Sequence, residues 1–160
     1  MSDDNYQEKY ELLADSSMAA RCPESERKLM RLVLVFDHVI QMVPVTWKRT
    51  RIDKHGTHLQ IFNEKKMAAA KRQLGWEVKL KEPQLRCDAQ ARFGFIAHFY
   101  ICGNRGDGDN FEKLLLDALQ GVVWENDGQV DEGQWAKVYN RPKSEAGIKL
   151  RIYRIEESAG

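Results

Sequence analysis

Asp107-Gly108-Asp109-Asn110-Phe111-Glu112-Lys113-Leu114-Leu115-Leu116-Asp117-Ala118-Leu119 is the stretch on which the reading of this chain turns. Phe111, Leu114, Leu115 and Ala118 recur at a period near 3.6, which predicts a helix with one apolar stripe. Asp109 stands where an N-cap belongs, and Gly121 where a left-handed residue would close the helix. Upstream, Phe93, Phe95, Ala97 and Phe99 alternate with Arg92, Gly94, Ile96 and His98 between Ala91 and Ile101, the strongest strand pattern in the sequence. That strand delivers the chain to Cys102-Gly103-Asn104-Arg105-Gly106, a flexible lead into Asp107. Downstream, Val122, Val123 and Trp124 form an apolar, β-prone run ending at Glu125-Asn126-Asp127, which predicts that a third carboxylate comes back beside the first two.

The same stretch concentrates chemistry. Asp107 and Asp109 are two apart, so an extended approach points both carboxylates to one side, and Gly108 lets the chain bend between them. Lys113 lies four residues after Asp109, and Asp117 four further, on one helical edge. Three aspartates suit a hard divalent cation such as magnesium or manganese, which takes oxygen ligands. With an ammonium alongside, such a set serves phosphodiester hydrolysis. A plainer reading uses the same residues: Asp109 as a helix cap, Lys113 as its i+4 ion-pair partner, Asp127 as a turn residue. Spacing alone leaves both open. A calcium-binding EF-hand loop starting at Asp107 would put Phe111 and Ala118 at two ligand positions, so it would lack two ligands.

The order Asp107-x-Asp109-Asn110-x-x-Lys113-x-x-x-Asp117-Ala118-Leu119, followed by Asp127-x-Gln129-Val130, resembles the signature of the RusA family of Holliday-junction resolvases, endonucleases of phages and prophages. The likeness extends upstream to Pro44, the Lys48-Arg49-Thr50-Arg51 run and Gly56, and downstream through Lys137 to the strand near Ile148 to Ile155. Roughly residues 31 to 157 are covered. The resemblance implies a homodimeric, magnesium-dependent endodeoxyribonuclease that resolves four-way DNA junctions by paired nicks in recombination and repair. It places Asp107, Asp109 and Asp127 on the family's metal-binding carboxylates and Lys113 on its catalytic lysine, with Asn110 and Asp117 in support. Two positions depart from the pattern: Gly108 replaces a larger residue, and Asn126 replaces an aspartate, which lowers the local negative charge. Two other classes remain compatible with the sequence, a less selective metal-dependent nuclease and a non-catalytic module that binds branched DNA.

Length and composition agree with one soluble domain. The chain has 160 residues, of which 31% are charged and 42% hydrophobic, enough for a real core. No apolar run approaches the length that spans a bilayer, and the N-terminus lacks a signal-peptide pattern, so a cytoplasmic location without membrane contact is expected. Cys22, Cys87 and Cys102 are widely spaced, which points to reduced thiols rather than disulfides or a zinc ribbon. A net charge of +1 is low for a DNA-binding protein. The sum conceals a gradient: Asp3, Asp4, Glu8, Glu11, Asp15, Glu24 and Glu26 weight the start negative, whereas Lys48, Arg49, Arg51, Lys54, Lys65, Lys66, Lys71 and Arg72 weight the middle positive.

In chain order, residues 1 to 28 read as an acidic, partly ordered extension, and residues 29 to 160 as the nuclease domain. A strand is expected from Leu32 to Phe36, extending toward Ile40 and ended by Pro44. Lys48, Arg49, Arg51 and Lys54 follow in a loop with Trp47 and, with Arg105, are the candidate DNA contacts; a solvated hairpin is the alternative. His55 and His58 lack partners for a metal site. Asn63 is expected to cap a helix through Met67, Ala70 and Leu74 that stops at Gly75, its edge carrying Lys65, Lys66 and Arg72 either toward DNA or toward solvent. Strands are expected from Gln129 through Tyr139 and from Ile148 to Ile155. The fold class that follows is α+β, a mixed sheet with two principal helices, one of them carrying the site.

Overall fold

The computed structural model describes residues 30–45, 62–103 and 108–157. Within them, residues Leu32–Glu156 make one compact unit. Four strands, β1 (Met30–Gln41), β2 (Arg92–Tyr100), β3 (Val130–Val138) and β4 (Gly147–Glu157), accompany two helices, α1 (Phe62–Lys81) and α2 (Gly108–Leu119). The strands form one sheet in the order β1-β4-β2-β3. It is mixed, because β2 runs parallel to β3 and antiparallel to β4. The expected α+β class with two helices is what the chain adopts. The acidic extension, residues 1–28, and the basic loop with Lys48, Arg49, Arg51 and Lys54 lie outside the described residues, as do Arg105 and Asp107.

Phe93, Phe95, Ala97 and Phe99 of β2 join Ile148, Leu150 and Ile152 of β4 in the core, against Met67, Ala70, Leu74 and Val78 of α1 and Phe111, Leu114, Leu115 and Leu119 of α2. The alternation read in β2 is therefore the core-facing set. Its other set is not all wet: Gly94 and Ile96 are buried as well. An interior strand is shielded on both sides, and Ile96 lies opposite Arg151 while Gly94 lies opposite Tyr153. Arg151 reaches to the other neighbour of β4, pairing with Asp37 of β1 at 3.1 Å.

Helix α1 differs from expectation at its end. It runs through Gly75 and continues to Lys81, with Val78 fully buried one turn later. Gly75 is a point of close approach between helices: a Cβ there would lie 3.1 Å from the Ala118 carbonyl oxygen and 3.3 Å from a Val122 methyl carbon. The helix also begins at Phe62, so Asn63 sits inside its first turn. Helix α2 closes as read, with Gly121 at φ 75°. The run after it is a turn rather than a strand. Val122 and Val123 both donate to the Leu119 carbonyl at 2.9 Å, and Gly121 donates to the Trp124 carbonyl at 2.7 Å. Trp124 is fully buried against Phe93, and its indole donates to the Leu116 carbonyl at 3.2 Å, sharing that acceptor with the Gln120 N–H at the end of the helix.

Candidate active site

The apolar stripe of α2 fixes which residues it presents outward. Because Phe111, Leu114 and Leu115 are buried, Asp109 and Lys113 are exposed on the opposite edge, with Asn110 half-buried between the two faces. Asp109 occupies the first turn of the helix, which begins at Gly108, rather than the cap position. Its carboxylate there faces the positive end of the helix dipole. The N-terminal end of α2 is anchored twice. Phe111 stacks on Phe99 with ring centroids 5.1 Å apart, and Trp135 of β3 donates its indole N–H to Glu112 Oε2 at 3.2 Å. Lys137, in register with Phe99, and Arg141, whose guanidinium lies 6.0 Å from the Tyr100 ring, belong to this same end of the sheet. Asp117, two turns along from Asp109, is held by Lys71 of α1 at 2.6 Å. Its charge ties the two helices together.

Asp127 opens a single 3-10 turn, Asp127–Gln129, and is exposed. The turn is built around Gln129, the one buried polar side chain among the described residues. Gln129 Oε1 accepts from the backbone N–H groups of Glu125 at 2.7 Å and Asn126 at 3.2 Å. Its Nε2 donates to the carbonyls of Asp88 at 2.7 Å and Ala91 at 2.8 Å. The amide thus fastens the Asp127 turn to the loop that begins β2. This end is electronegative: the Cys87 thiol is pushed up by burial and further by the charges of Glu125 and Asp88. Arg92 with Asp131, and Arg154 with Asp88, balance part of that charge.

Asp109 and Asp127 are not brought together within one chain. Asp127 precedes Val130, which lies opposite Phe93 at the start of β2, whereas Asp109 precedes Phe111, which lies on Phe99 near the end of β2. Six residue steps along β2 separate those two levels, about 20 Å at 3.3 Å per residue. The cause is topological. Parallel neighbours require a crossover, so α2 carries the chain back to the start of the sheet before β3 begins. Among the described residues, no three of His, Cys, Asp and Glu gather closely enough to hold a metal ion.

Residues 41–153 match the family model of Endodeoxyribonuclease RusA, a span that holds all four proposed catalytic positions. The chain belongs to the RusA family. It is accordingly an endodeoxyribonuclease, a hydrolase of DNA phosphodiesters, in a family of Holliday-junction resolvases. Comparison with curated proteins returns no match. Among the described residues of this RusA-family chain, no helix is long and apolar enough to cross a membrane. Three contributors escaped the sequence: the structural role of Gln129, the Glu112–Trp135 contact and the placement of Lys137. Gln129 and Lys137 lie within the stretches that carry the resemblance, but neither periodicity nor spacing distinguishes a buried amide from an exposed one.

Proposed function

We propose that the chain resolves four-way DNA junctions by paired nicks as a homodimer, with Asp107, Asp109 and Lys113 of one protomer working beside the partner's Asp127. The separation of about 20 Å between the levels of Asp109 and Asp127 carries this reading. A two-fold axis that joins the two ends of the β2–α2–β3 unit across protomers makes two equivalent sites, which suits a substrate with two-fold symmetry. The apolar exposure of Leu34, Val39 and Val43 along and just after β1, a strand at the edge of the sheet, favours self-association.

The two described carboxylates, Asp109 and Asp127, are exposed oxygen donors on a helix start and a tight turn. That donor chemistry fits magnesium, with manganese as an alternative, and with Asp107 they would hold the ion. When bound, it offsets phosphate charge and makes a water molecule more acidic. The carboxylates orient that water for in-line attack on phosphorus, and the bond to the opposite oxygen breaks. Lys113 offsets the charge that develops on the phosphate and its leaving oxygen. Lys48, Arg49, Arg51, Lys54 and Arg105 contact the DNA backbone and set its register. Asn110 and Asp117 support the helix that carries the site.

Mixing two inactive variants tests the arrangement. Asp109→Asn and Asp127→Asn each lose junction cleavage. If sites form across protomers, a mixed dimer keeps one intact site, so combining the variants restores nicking at one of the two positions. Sites formed within one chain leave the mixture inert. A linear duplex and a flap run alongside report selectivity, and equal cutting of all three substrates would replace the junction reading with that of a general nuclease.

A further inference from the structure

Trp76 lies on the surface of α1 with 68% of its area exposed, and Leu80, one turn later, is 62% exposed. An indole this open is unusual for a helix that buries a full apolar face, because it forgoes a large burial energy. Its neighbours are cationic. Lys65, Arg72, Trp76 and Lys79 are spaced at i, i+7, i+11 and i+14, so they share one stripe about 21 Å long. Lys65, Arg72 and Lys79 are all exposed. Across the helix, six Lys and Arg residues stand against two glutamates. Beside Trp76 runs a groove of ≈ 620 Å³ between α1 and α2, whose lining includes Arg72, Gly75, Lys79, Ala118 and Val122. The close approach of Gly75 to Ala118 forms its shallow floor. The acidic residue in that lining, Asp117, is already neutralised by Lys71 at 2.6 Å.

We propose that this stripe binds a strand of nucleic acid with unpaired bases, Trp76 stacking on a base while Arg72 and Lys79 contact the flanking phosphates. The inference rests on the nuclease reading and extends it to an additional substrate contact, outside Asp107, Asp109, Lys113 and Asp127. An aromatic ring between cations is how sequence-tolerant single-strand binders work, since every base has a face to stack. A second copy of the chain is the poorer occupant: in a two-fold contact the patch meets itself, and Arg72 and Lys79 would face like charges. Duplex DNA offers the cations its phosphates but offers the indole no open base. The stripe thus favours branch points with unpaired nucleotides over fully paired arms.

Binding of the full-length protein to labelled DNA, measured in calcium or EDTA so that no cleavage intervenes, tests this. Three probes are compared: a junction with a short unpaired stretch at its centre, a single strand and a linear duplex. Trp76→Ala is expected to weaken the first two by roughly tenfold or more, with little change for duplex, and Trp76→Phe to recover most of the loss. Arg72→Gln with Lys79→Gln is expected to lower the salt dependence by about one to two phosphate contacts. Because Trp76 is exposed, an unchanged unfolding transition shows that the variant is folded. Unaltered affinity for all three probes, while the wild type binds the junction, overturns the inference and leaves the nuclease reading standing. A change in solution mass on Trp76→Ala without loss of DNA affinity overturns it in favour of a protein contact. A wild type that binds none of the probes overturns both.

Discussion

Gln129 Nε2 donates to the Ala91 carbonyl at 2.8 Å, joining the turn that bears Asp127 to the first residues of β2 across 38 positions of sequence. Four hydrogen bonds converge on this one buried amide. Gln129→Leu matches its bulk but takes a hydrogen-bond partner from two N–H groups and two carbonyls, of which the Asp88 carbonyl still accepts from the Ala91 N–H at 3.3 Å. We expect a loss of about 2–4 kcal/mol in denaturant unfolding. Cleavage should fall as well, with junction binding largely kept, because the turn that orients Asp127 loses its tether. Normal cleavage by a folded Gln129→Leu protein would show that Asp127 needs no such positioning.

Lys71 and Asp117 meet at 2.6 Å with both side chains mostly shielded. Either Lys71→Met or Asp117→Asn should cost about 1 kcal/mol, and the double variant should cost less than the sum. Cleavage should drop less than about tenfold for Asp117→Asn, against about a hundredfold or more for Asp109→Asn. Comparable losses for the two would move Asp117 from helix pairing into the chemistry.

Gly75 tests the packing of α1 on α2. Gly75→Val removes a helix-weakening glycine, yet its methyl groups run into the Ala118 carbonyl and Val122. The clash should dominate, lowering stability by about 1–3 kcal/mol, as read from the urea midpoint. A gain in stability would mean that the helices separate more easily than the 3.1 Å approach suggests.

His98 gives the fold a pH dependence. Burial lowers its pKa from the ordinary 6.5, and the charges of Lys149 and Arg151 on β4 lower it further. In β3 it faces the uncharged Ala136. The unfolded chain therefore takes up this proton more readily than the native one. Its contribution to stability is complete above about pH 6.5 and declines as the pH falls below that value toward the lowered native pKa. Melting temperatures measured between pH 7.5 and 5 should fall less steeply in His98→Leu than in the wild type.

The sequence disclosed elements whose periodicity was strong and local. β2 and α2 stand where Phe93 to Phe99 and Phe111 to Ala118 put them, and the α+β class follows from those plus the last strand. Gly75 misled because a glycine after an apolar stripe serves equally well as a stop or as a point of contact. Only the position of Ala118, 43 residues away, decides between them. The return run misled in the same way. Val122, Val123 and Trp124 have strand-like composition, yet Gly121 folds them into a turn under the core. Nothing local reveals that β3 pairs parallel to β2, and that pairing sets which end of the sheet receives Asp127. The outward groups of α2 could be read from its helical period, whereas the relation of Asp109 to Asp127 belongs to topology.

That separation also bears on control in the cell. On the shared-site reading, a solitary chain carries two half-sites and cuts nothing, however well it folds. At low abundance the rate of cutting then grows with the square of the amount of protein. A freshly made chain is thereby harmless to its own genome until a second copy reaches it, and a twofold fall in supply quiets the nuclease about fourfold without any inhibitor.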